Sequence, residues 1–466
     1  MPANNLATVH PASRACAPAQ ARESQPRQAA GGAPQRSRLA WLDGLRGVAA
    51  LCVVYTHFGA RVLPAVHAWI YRIFDPGLYG VLVFFLISGY IVPASLERKG
   101  SLRTFWLGRL FRLLPLFGLV IAAALLLHAA GLTGPRGLSK NAAAAVLAHL
   151  FMLNDLLGEN NLLVVIWTLS YEMVFYLLLT ALFTVGLHRR SGTFAGVFGA
   201  GALLLGGVLP VTWLTGHHVL GGATELALAA DVLTIGGLAL AVATRGWPRA
   251  LGAWLAAGTG LILVAVNGHR MGYEGLTILA LMFTGSVLYR ARHGQISRRP
   301  AAVVAAGVFA AVIAAGAWHI PALSTATSQG AVQQEQRDWV VSVALAGLTF
   351  AVGLALQERR VPRVLTWLGL VSYSVYLVFP LLVDLYDDIP FPRGYQSQPW
   401  LQAAVSAAFL LVLLGCSAAT YYLVEAPMQR LGRRAAARLD AGRRLTLAPP
   451  AGQARRHEAE AASLAS

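Results

Sequence analysis

Three ionisable residues stand in the first apolar segment of the chain, where a helix facing lipid would carry none. They are Asp43, Arg46 and His57. On an α-helix, residues 46 and 57 point within roughly 20° of one another and are separated by about 16 Å, and Asp43 lies near the same stripe. Because a charge inside a membrane span costs at least roughly 2.5–3.5 kcal/mol, this polar face requires a function or a polar partner.

Two interpretations of this face are open. A histidine can accept a proton near neutral pH, so His57 could be the base that activates a hydroxyl nucleophile. In the structural alternative, Arg46 reaches the lipid headgroups, Asp43 pairs with it at i, i+3, and His57 hydrogen-bonds to a neighbouring helix. Spacing alone does not separate the two.

A pair of arginines follows in the segment ERKGSLRTFWLGRLFRLLP. Arg109 and Arg112 are spaced i, i+3, and we expect them to project from one side of a helix at the cytoplasmic surface. Two guanidinium groups placed in this way can grip a phosphate with paired donors. Ordinary positive charge at a membrane surface would explain the pair equally well.

One carboxylate, Glu172, lies within the apolar run WTLSYEMVFYLL, with Tyr176 one turn further on. A buried carboxylate requires a partner or a proton. Glu172 could pair with Arg46 or with an arginine near 109–112, orient His57, or be held protonated. A structural ion pair between helices is the alternative.

The segment GVLVFFLISGYIV contains Gly80 and the Ser88-Gly89 pair, which would let two helix backbones approach closely while Tyr90 packs around them. Ser88 could also be an acylated nucleophile. However, no G-x-S-x-G elbow supports that role.

The elements that position these residues are predicted from composition. Hydrophobic residues make up 56% of the chain and charged residues 12%, whereas a soluble domain has roughly 45–50% and 25%. Apolar stretches of about 20 residues, the length that crosses a bilayer, recur along the chain. The sequence therefore predicts an all-α polytopic transmembrane helical bundle of about 10–12 spans. The twelve candidates are 39–61, 78–96, 113–130, 162–187, 193–214, 223–244, 250–267, 273–289, 300–320, 339–357, 364–387 and 399–424.

The net charge of +17 mainly records topology, because most of the 37 Lys and Arg residues fall in one alternating set of connectors and in the tails. We therefore expect both termini in the cytoplasm and no nucleic-acid partner. Residues 1–38 are predicted to be a disordered cytoplasmic tail, 39–427 a membrane domain, and 428–466 a basic, largely disordered tail that could contact anionic lipid. Three scattered cysteines predict no disulfide framework and no metal site.

Four motifs occur in an order that is specific when taken together. LDGLRG followed by His57, then GVLVFFLISGYIV, then R-x-x-R-x-x-P from Arg109 to Pro115, then WTLSYEMVFY resemble the signature of acyltransferase family 3. Later stretches, LGLVSYSVYLVFP at 368–380 and LVEAP around Glu425, resemble further motifs of that family. The resemblance covers roughly residues 39–430. The family consists of integral-membrane O-acyltransferases that act on bacterial surface and secreted glycans.

The resemblance implies a multi-pass enzyme of the bacterial inner membrane that transfers an acyl group, usually acetyl, from acyl-coenzyme A to a sugar hydroxyl. Acyl-coenzyme A is then a donor substrate that enters from the cytoplasm, and the acceptor is a glycan or glycoside reached from the far side. By resemblance, His57 is the general base, Arg109 and Arg112 hold the phosphates of coenzyme A, and Glu172 and Arg46 set the charge and orientation of the site. Further site candidates are Asp43, Ser88, Tyr90, Trp167, Tyr176, Tyr373 and Tyr376.

One position departs from the family pattern. The family commonly has a histidine in YL-x-H-x-P, whereas this chain has Phe379 in YLVFP. Phenylalanine can neither transfer a proton nor hydrogen-bond a polar substrate. Either that histidine is dispensable, or it tunes acceptor choice and this protein has a different acceptor, or activity is lost; we favour the second.

Other classes of membrane protein share this composition. A transporter or flippase would also have many spans with buried charges. Against it, no motif of the first half recurs in the second, and the ionisable residues are concentrated in spans one to four. A membrane scaffold or sensor would leave these ionisable residues unexplained. No motif indicates an oligomeric state.

Overall fold

The computed structural model describes residues 40–133, 141–388 and 397–447, and all regular secondary structure in these ranges is helical. A 3₁₀ turn at Leu187–Arg189 and a π-helical turn at Tyr421–Glu425 complete it. The sixteen α-helices are α1 Ala40–Val62, α2 Pro64–Tyr71, α3 Pro76–Lys99, α4 Leu102–Ala129, α5 Ala142–Leu150, α6 Trp167–Thr184, α7 Ser191–Leu205, α8 Trp213–Gly216, α9 Ala223–Ala243, α10 Trp247–Val266, α11 Gly272–Arg292, α12 Arg298–Leu323, α13 Gln329–Ala355, α14 Arg363–Asp387, α15 Pro399–Thr420 and α16 Ala426–Leu447.

The predicted all-α membrane bundle is confirmed. Among the described residues, nine helices are long and apolar enough to cross a membrane: α3, α4, α6, α9, α10, α12, α13, α14 and the continuous stretch that begins with α15. Helices α1 and α11 occupy two further predicted spans but are more polar, and α7 is shorter, with 15 residues. A helix therefore occurs at each of the twelve predicted positions.

The largest boundary error concerns the third span, which was predicted to begin at 113 but begins at Leu102. Gly100 adopts the left-handed conformation, with φ of 60°, and ends α3. The Ser101 side chain then accepts a hydrogen bond from the Thr104 amide and caps α4. Residues 109 and 112 consequently lie inside the helix. The short helices α2, α5 and α8 were not predicted.

Glycines allow the central helices to touch. A β-carbon at Gly89 of α3 would lie 1.8 Å from the carbonyl oxygen of Met282 in α11, and one at Gly80 would lie 2.6 Å from that of Ala49 in α1. Both distances are far below van der Waals contact. The predicted close approach at these glycines is confirmed.

Helix α1 is held between α3 and α14. Gly369 of α14 packs directly on the backbone of Asp43, where a β-carbon would lie 1.9 Å from the carbonyl oxygen, and Gly47 of α1 packs on Leu368. This packing places the polar face of α1 inside the bundle rather than towards lipid. Helix α6, which is buried along almost its whole length, packs against α3, α10 and α11.

The C-terminal helices form one continuous stretch. After α15, the π-helical turn carries the buried Glu425, and α16 then lies against α4 where Gly432 contacts Phe111. The first part of the predicted 428–466 tail is therefore helical. Residues 448–466, like the predicted tail 1–38, lie outside the described residues.

Candidate active site

His57 opens into a cavity with a volume of about 490 Å³, which is called here the histidine cavity. Its wall combines His57 with Trp167, Tyr376 and a set of polar residues from α11 and α13. A second cavity of about 450 Å³, the side cavity, also contains His57 and Trp167 and is bounded by Phe379. His57 therefore faces space on two sides.

The His57 ring is held by packing rather than by hydrogen bonds. Its centroid lies 5.4 Å from that of Phe379, with an interplanar angle of 31°. Its backbone carbonyl accepts a hydrogen bond from Arg61, whose guanidinium also forms a two-point ion pair with Asp387 at 2.5 and 2.8 Å. Since no side-chain hydrogen bond of His57 occurs within the described ranges, its ring nitrogens are available to a molecule in the cavity.

Arg270 was missed by the sequence analysis, although it lines both cavities with His57. Its guanidinium lies 4.0 Å from the centre of the Trp167 ring and 3.5 Å from the Glu274 carboxylate. Arg270 lies between the seventh and eighth predicted spans, 250–267 and 273–289, and Glu274 lies at the beginning of the eighth. The available signal was the number of polar residues between these two apolar helices.

Carboxylates dominate the polar wall of the histidine cavity. Besides Glu274, it includes Asp75, Glu335 and Asp338. Asp75 caps α3 by accepting hydrogen bonds from the amides of Gly77 and Leu78. The cavity thus offers many acceptors to a ligand rich in hydroxyl groups.

A smaller space of about 70 Å³, the arginine cavity, lies further along the same helices. It is lined by Arg46 of α1, Arg112 of α4 and Glu172 of α6, together with Ser88 and apolar side chains. Of the residues that the sequence placed on one stripe of α1, Arg46 therefore lines the arginine cavity and His57 the histidine cavity, whereas Asp43 lines neither.

The partners of Glu172 are hydroxyl groups. Its Oε1 accepts hydrogen bonds from Ser88 at 3.1 Å and from the Tyr176 hydroxyl. Its charge also interacts with those of Arg46 and Arg112 across the cavity. Of the alternatives considered, a role in orienting His57 receives no support from this geometry, because Glu172 bonds elsewhere. Ser88 likewise donates to Glu172, and no histidine is among the described residues that line the arginine cavity with it.

The prediction that Arg109 and Arg112 project together from a cytoplasmic surface is wrong. Arg109 is only 7% exposed, and its guanidinium lies over the rings of Phe105, at 5.5 Å, and Tyr176, at 5.0 Å. It also donates to the Tyr176 hydroxyl at 3.4 Å. Only Arg112 lines the arginine cavity. Positions i and i+3 differ by about 60° around a helix, which is enough to direct the two side chains to different neighbours.

Glu425 joins the same charge cluster from the C-terminal stretch. It is 3% exposed, accepts hydrogen bonds from Ser374 and Gln429 at 3.0 Å each, and interacts electrostatically with Arg46 and Arg112. Asp43 also interacts with both arginines. The sequence placed Glu425 in a family-like stretch but gave it no role; its isolation at the end of an apolar span was the signal.

The aromatic candidates divide into three groups. Trp167, Tyr373 and Tyr376 line the cavities, and the Tyr373 hydroxyl donates to the Leu113 carbonyl at 3.0 Å. The hydroxyl of Tyr176 donates a hydrogen bond to Glu172. Tyr90, in contrast, lies outside these cavities in an edge-to-face cluster with Trp41, Tyr289 and Phe350, so its role is packing.

Comparisons with known proteins bear on what this arrangement does. The family model described as an acyltransferase domain, Acyl_transf_3, matches residues 39–421. The acyltransferase MdmB of Streptomyces mycarofaciens is 31% identical over 153 residues, which cover 31% of this chain and 39% of that relative. The alignment thus spans well under half of either protein. No solved structure matches this chain significantly.

Proposed function

The chain belongs to acyltransferase family 3 and is a membrane acyltransferase, and we propose that it moves an acetyl group from acetyl-coenzyme A to a hydroxyl of a glycan or glycoside. The observation that carries the proposal is the placement of His57, whose ring nitrogens face a cavity large enough for a sugar. Arg46 and Arg112 line the neighbouring arginine cavity.

The acceptor would occupy the histidine cavity. Sugar-binding sites combine an aromatic face with groups that bond hydroxyls, and here Trp167 is flanked by Arg270 and several carboxylates. Phe379, which stands where the family commonly has a histidine, closes one side next to His57. Its bulk supports a role in acceptor choice rather than in proton transfer.

The donor phosphates would bind at the other end. Arg46 and Arg112 supply two guanidinium groups, and Glu172 and Glu425 offset part of their charge while the site is empty. Arg109 then acts indirectly, because it holds Tyr176, which in turn bonds to Glu172. The positive-inside pattern of the connectors supports an orientation in which this end of the bundle faces the cytoplasm, in the bacterial inner membrane.

The reaction needs one base and no permanently bound cofactor. A ring nitrogen of His57 takes the proton of the acceptor hydroxyl while the hydroxyl oxygen attacks the thioester carbonyl carbon. The tetrahedral intermediate collapses with cleavage of the C–S bond, which leaves an O-acetyl ester. The imidazolium gives its proton to the departing thiolate, so free coenzyme A leaves as the thiol.

The test is His57→Ala, with His293→Ala as the matched control because His293 is an exposed histidine outside both cavities. We expect His57→Ala to abolish O-acetylation of cell-surface glycans, measured by mass spectrometry, while the protein accumulates in the membrane as the control does. Normal acetylation in that variant would eliminate His57 as the base. Purified protein in detergent should also release coenzyme A thiol when glycan extract is added, a result that a transporter or flippase would not give.

A further inference from the structure

Tyr376 stands between the histidine cavity and the arginine cavity. Its side chain lines both of them, and so does Val81. The ring is edge-on to Phe84, which belongs to the arginine cavity, at 5.7 Å, and to Phe379, beside His57, at 6.4 Å. One aromatic side chain therefore separates the two spaces.

The Tyr376 side chain is called here the partition, and its hydroxyl forms hydrogen bonds at the beginning of α6. It lies 3.0 Å from the Thr168 hydroxyl and 3.2 Å from the Val165 carbonyl oxygen. Thr168 lines the arginine cavity and Val165 the histidine cavity, so the two hydrogen-bond partners also belong to opposite sides. The side chain is only 7% exposed. Two neutral hydrogen bonds hold it, each worth about 1 kcal/mol, which is weak enough for the ring to move.

In the proposed reaction, the partition lies between the donor phosphates and His57. Residues 46 and 57 are separated by about 16 Å along α1. In coenzyme A, the pantetheine arm separates the thioester from the phosphates. If the phosphates bind at Arg46 and Arg112, the thioester can reach His57 only by passing the level of Tyr376.

We propose that Tyr376 is a gate that keeps the donor thioester apart from the water-accessible histidine cavity until an acceptor is bound. The inference rests on the proposed function. Without the gate, water from the histidine cavity would attack the thioester carbonyl in place of the sugar hydroxyl. The C–S bond would break, acetate and free coenzyme A thiol would form, and the acetyl group would be lost. Excluding water from a reactive group is a general use of such side chains.

The experiment measures thiol release from acetyl-coenzyme A by purified protein in detergent, with and without glycan extract. Tyr376→Ala removes the partition, and Tyr376→Phe keeps the ring but removes both hydrogen bonds. Tyr90→Ala is the matched control, because it removes a buried tyrosine of the aromatic cluster that lines neither cavity. Thermal unfolding of each variant reports its stability.

We expect Tyr376→Ala to raise acceptor-independent thiol release on the order of tenfold, the effect of lowering a barrier by about 1.4 kcal/mol. Tyr376→Phe should show a smaller increase, and Tyr90→Ala should lose stability without any increase. Unchanged hydrolysis in both Tyr376 variants, with transfer to glycan intact, would overturn the gate alone. A wild type that transfers no acetyl group to glycan would instead contradict the proposed function, so the two failures are distinguishable.

Discussion

The ring of Phe379 lies 5.4 Å from the ring of His57, and the two planes are inclined by 31°. Phe379 is fully buried and also borders the side cavity. A single apolar side chain thus limits how the His57 ring can turn and what can approach it from one direction. Because the position commonly carries a histidine in the pattern that this chain otherwise resembles, the contact marks a departure of this chain from that pattern.

Replacement of Phe379 should affect activity and stability together. Phe379→Ala removes a fully buried ring beside His57, which costs about 3–5 kcal/mol where the cavity does not collapse, and it frees the His57 ring to leave its productive orientation. We expect a lower unfolding temperature in detergent and a lower rate of acetyl transfer. Phe379→Leu, which keeps most of the volume, should retain more of both.

Phe379→His tests the acceptor role of this position. We expect the variant to fold, with a free energy of unfolding lower by about 1–3 kcal/mol if the new imidazole forms no hydrogen bond. We also expect it to acetylate a different set of glycans, which mass spectrometry can compare with those of the wild type. An unchanged product set at unchanged rate would mean that the residue at 379 does not select the acceptor.

The two arginines of α4 should give different phenotypes. Arg112 lines the arginine cavity, so Arg112→Ala should raise the KM for acetyl-coenzyme A on the order of tenfold, equivalent to about 1.4 kcal/mol of lost binding, with a small change in unfolding temperature. Arg109 is buried against Phe105 and Tyr176, so Arg109→Ala should chiefly lower stability. Steady-state kinetics and thermal unfolding of both variants separate the two roles. Equal KM effects with equal stability would restore the paired-arginine interpretation.

Glu172 is expected to act through its charge. Glu172→Gln is nearly isosteric and can still accept the hydrogen bonds of Ser88 and Tyr176, but it removes the negative charge that faces Arg46 and Arg112. We expect transfer to fall on the order of tenfold or more at near-normal stability. Tyr176→Phe is the comparison, since it removes one hydrogen bond and leaves the charge. A Gln variant as active as the wild type would reduce Glu172 to a structural acceptor.

Much of this site was predictable from residue type and order. Charged residues are so unfavourable in a span that Arg46 and Glu172 were expected to have a function or a polar partner, and both line the arginine cavity. The position of His57 on the same face of α1 as Arg46 follows from helical periodicity. The direction of Arg109 was not predictable, because a rotation of about 60° between i and i+3 sends neighbouring side chains to different helices, and only the packing of α4 against α6 decides which helix each one meets.

The residues that the sequence analysis missed owe their positions to tertiary structure. Arg270 lies in a connector, and it reaches Trp167 only because α10 and α11 return beside α6. Glu425 enters the charge cluster through a π-helical turn, which shifts the face that the following residues present. Neither the approach of Arg270 to Trp167 nor the π-helical turn at Glu425 produces a periodic pattern in the local sequence. The long helices were predictable because their length and hydropathy suit a bilayer, whereas the short helices α2, α5 and α8 carry no such signal.

The close contact between α3 and α11 gives a prediction about folding that is independent of catalysis. A β-carbon at Gly89 would lie 1.8 Å from the carbonyl oxygen of Met282 and 2.5 Å from its carbonyl carbon, so Gly89→Ala must push two helix backbones apart. A helix backbone cannot move aside as the end of a flexible side chain can, so we expect the free energy of unfolding to fall by at least about 1–3 kcal/mol.

Gly118→Ala in α4 is the matched control, because nothing lies within 4 Å of its β-carbon. Gly89→Ala should therefore accumulate poorly and unfold at lower temperature in detergent, whereas Gly118→Ala should match the wild type or exceed it slightly, since alanine favours a helix. Equal unfolding temperatures for the two variants would show that α3 and α11 are not in backbone contact at Gly89.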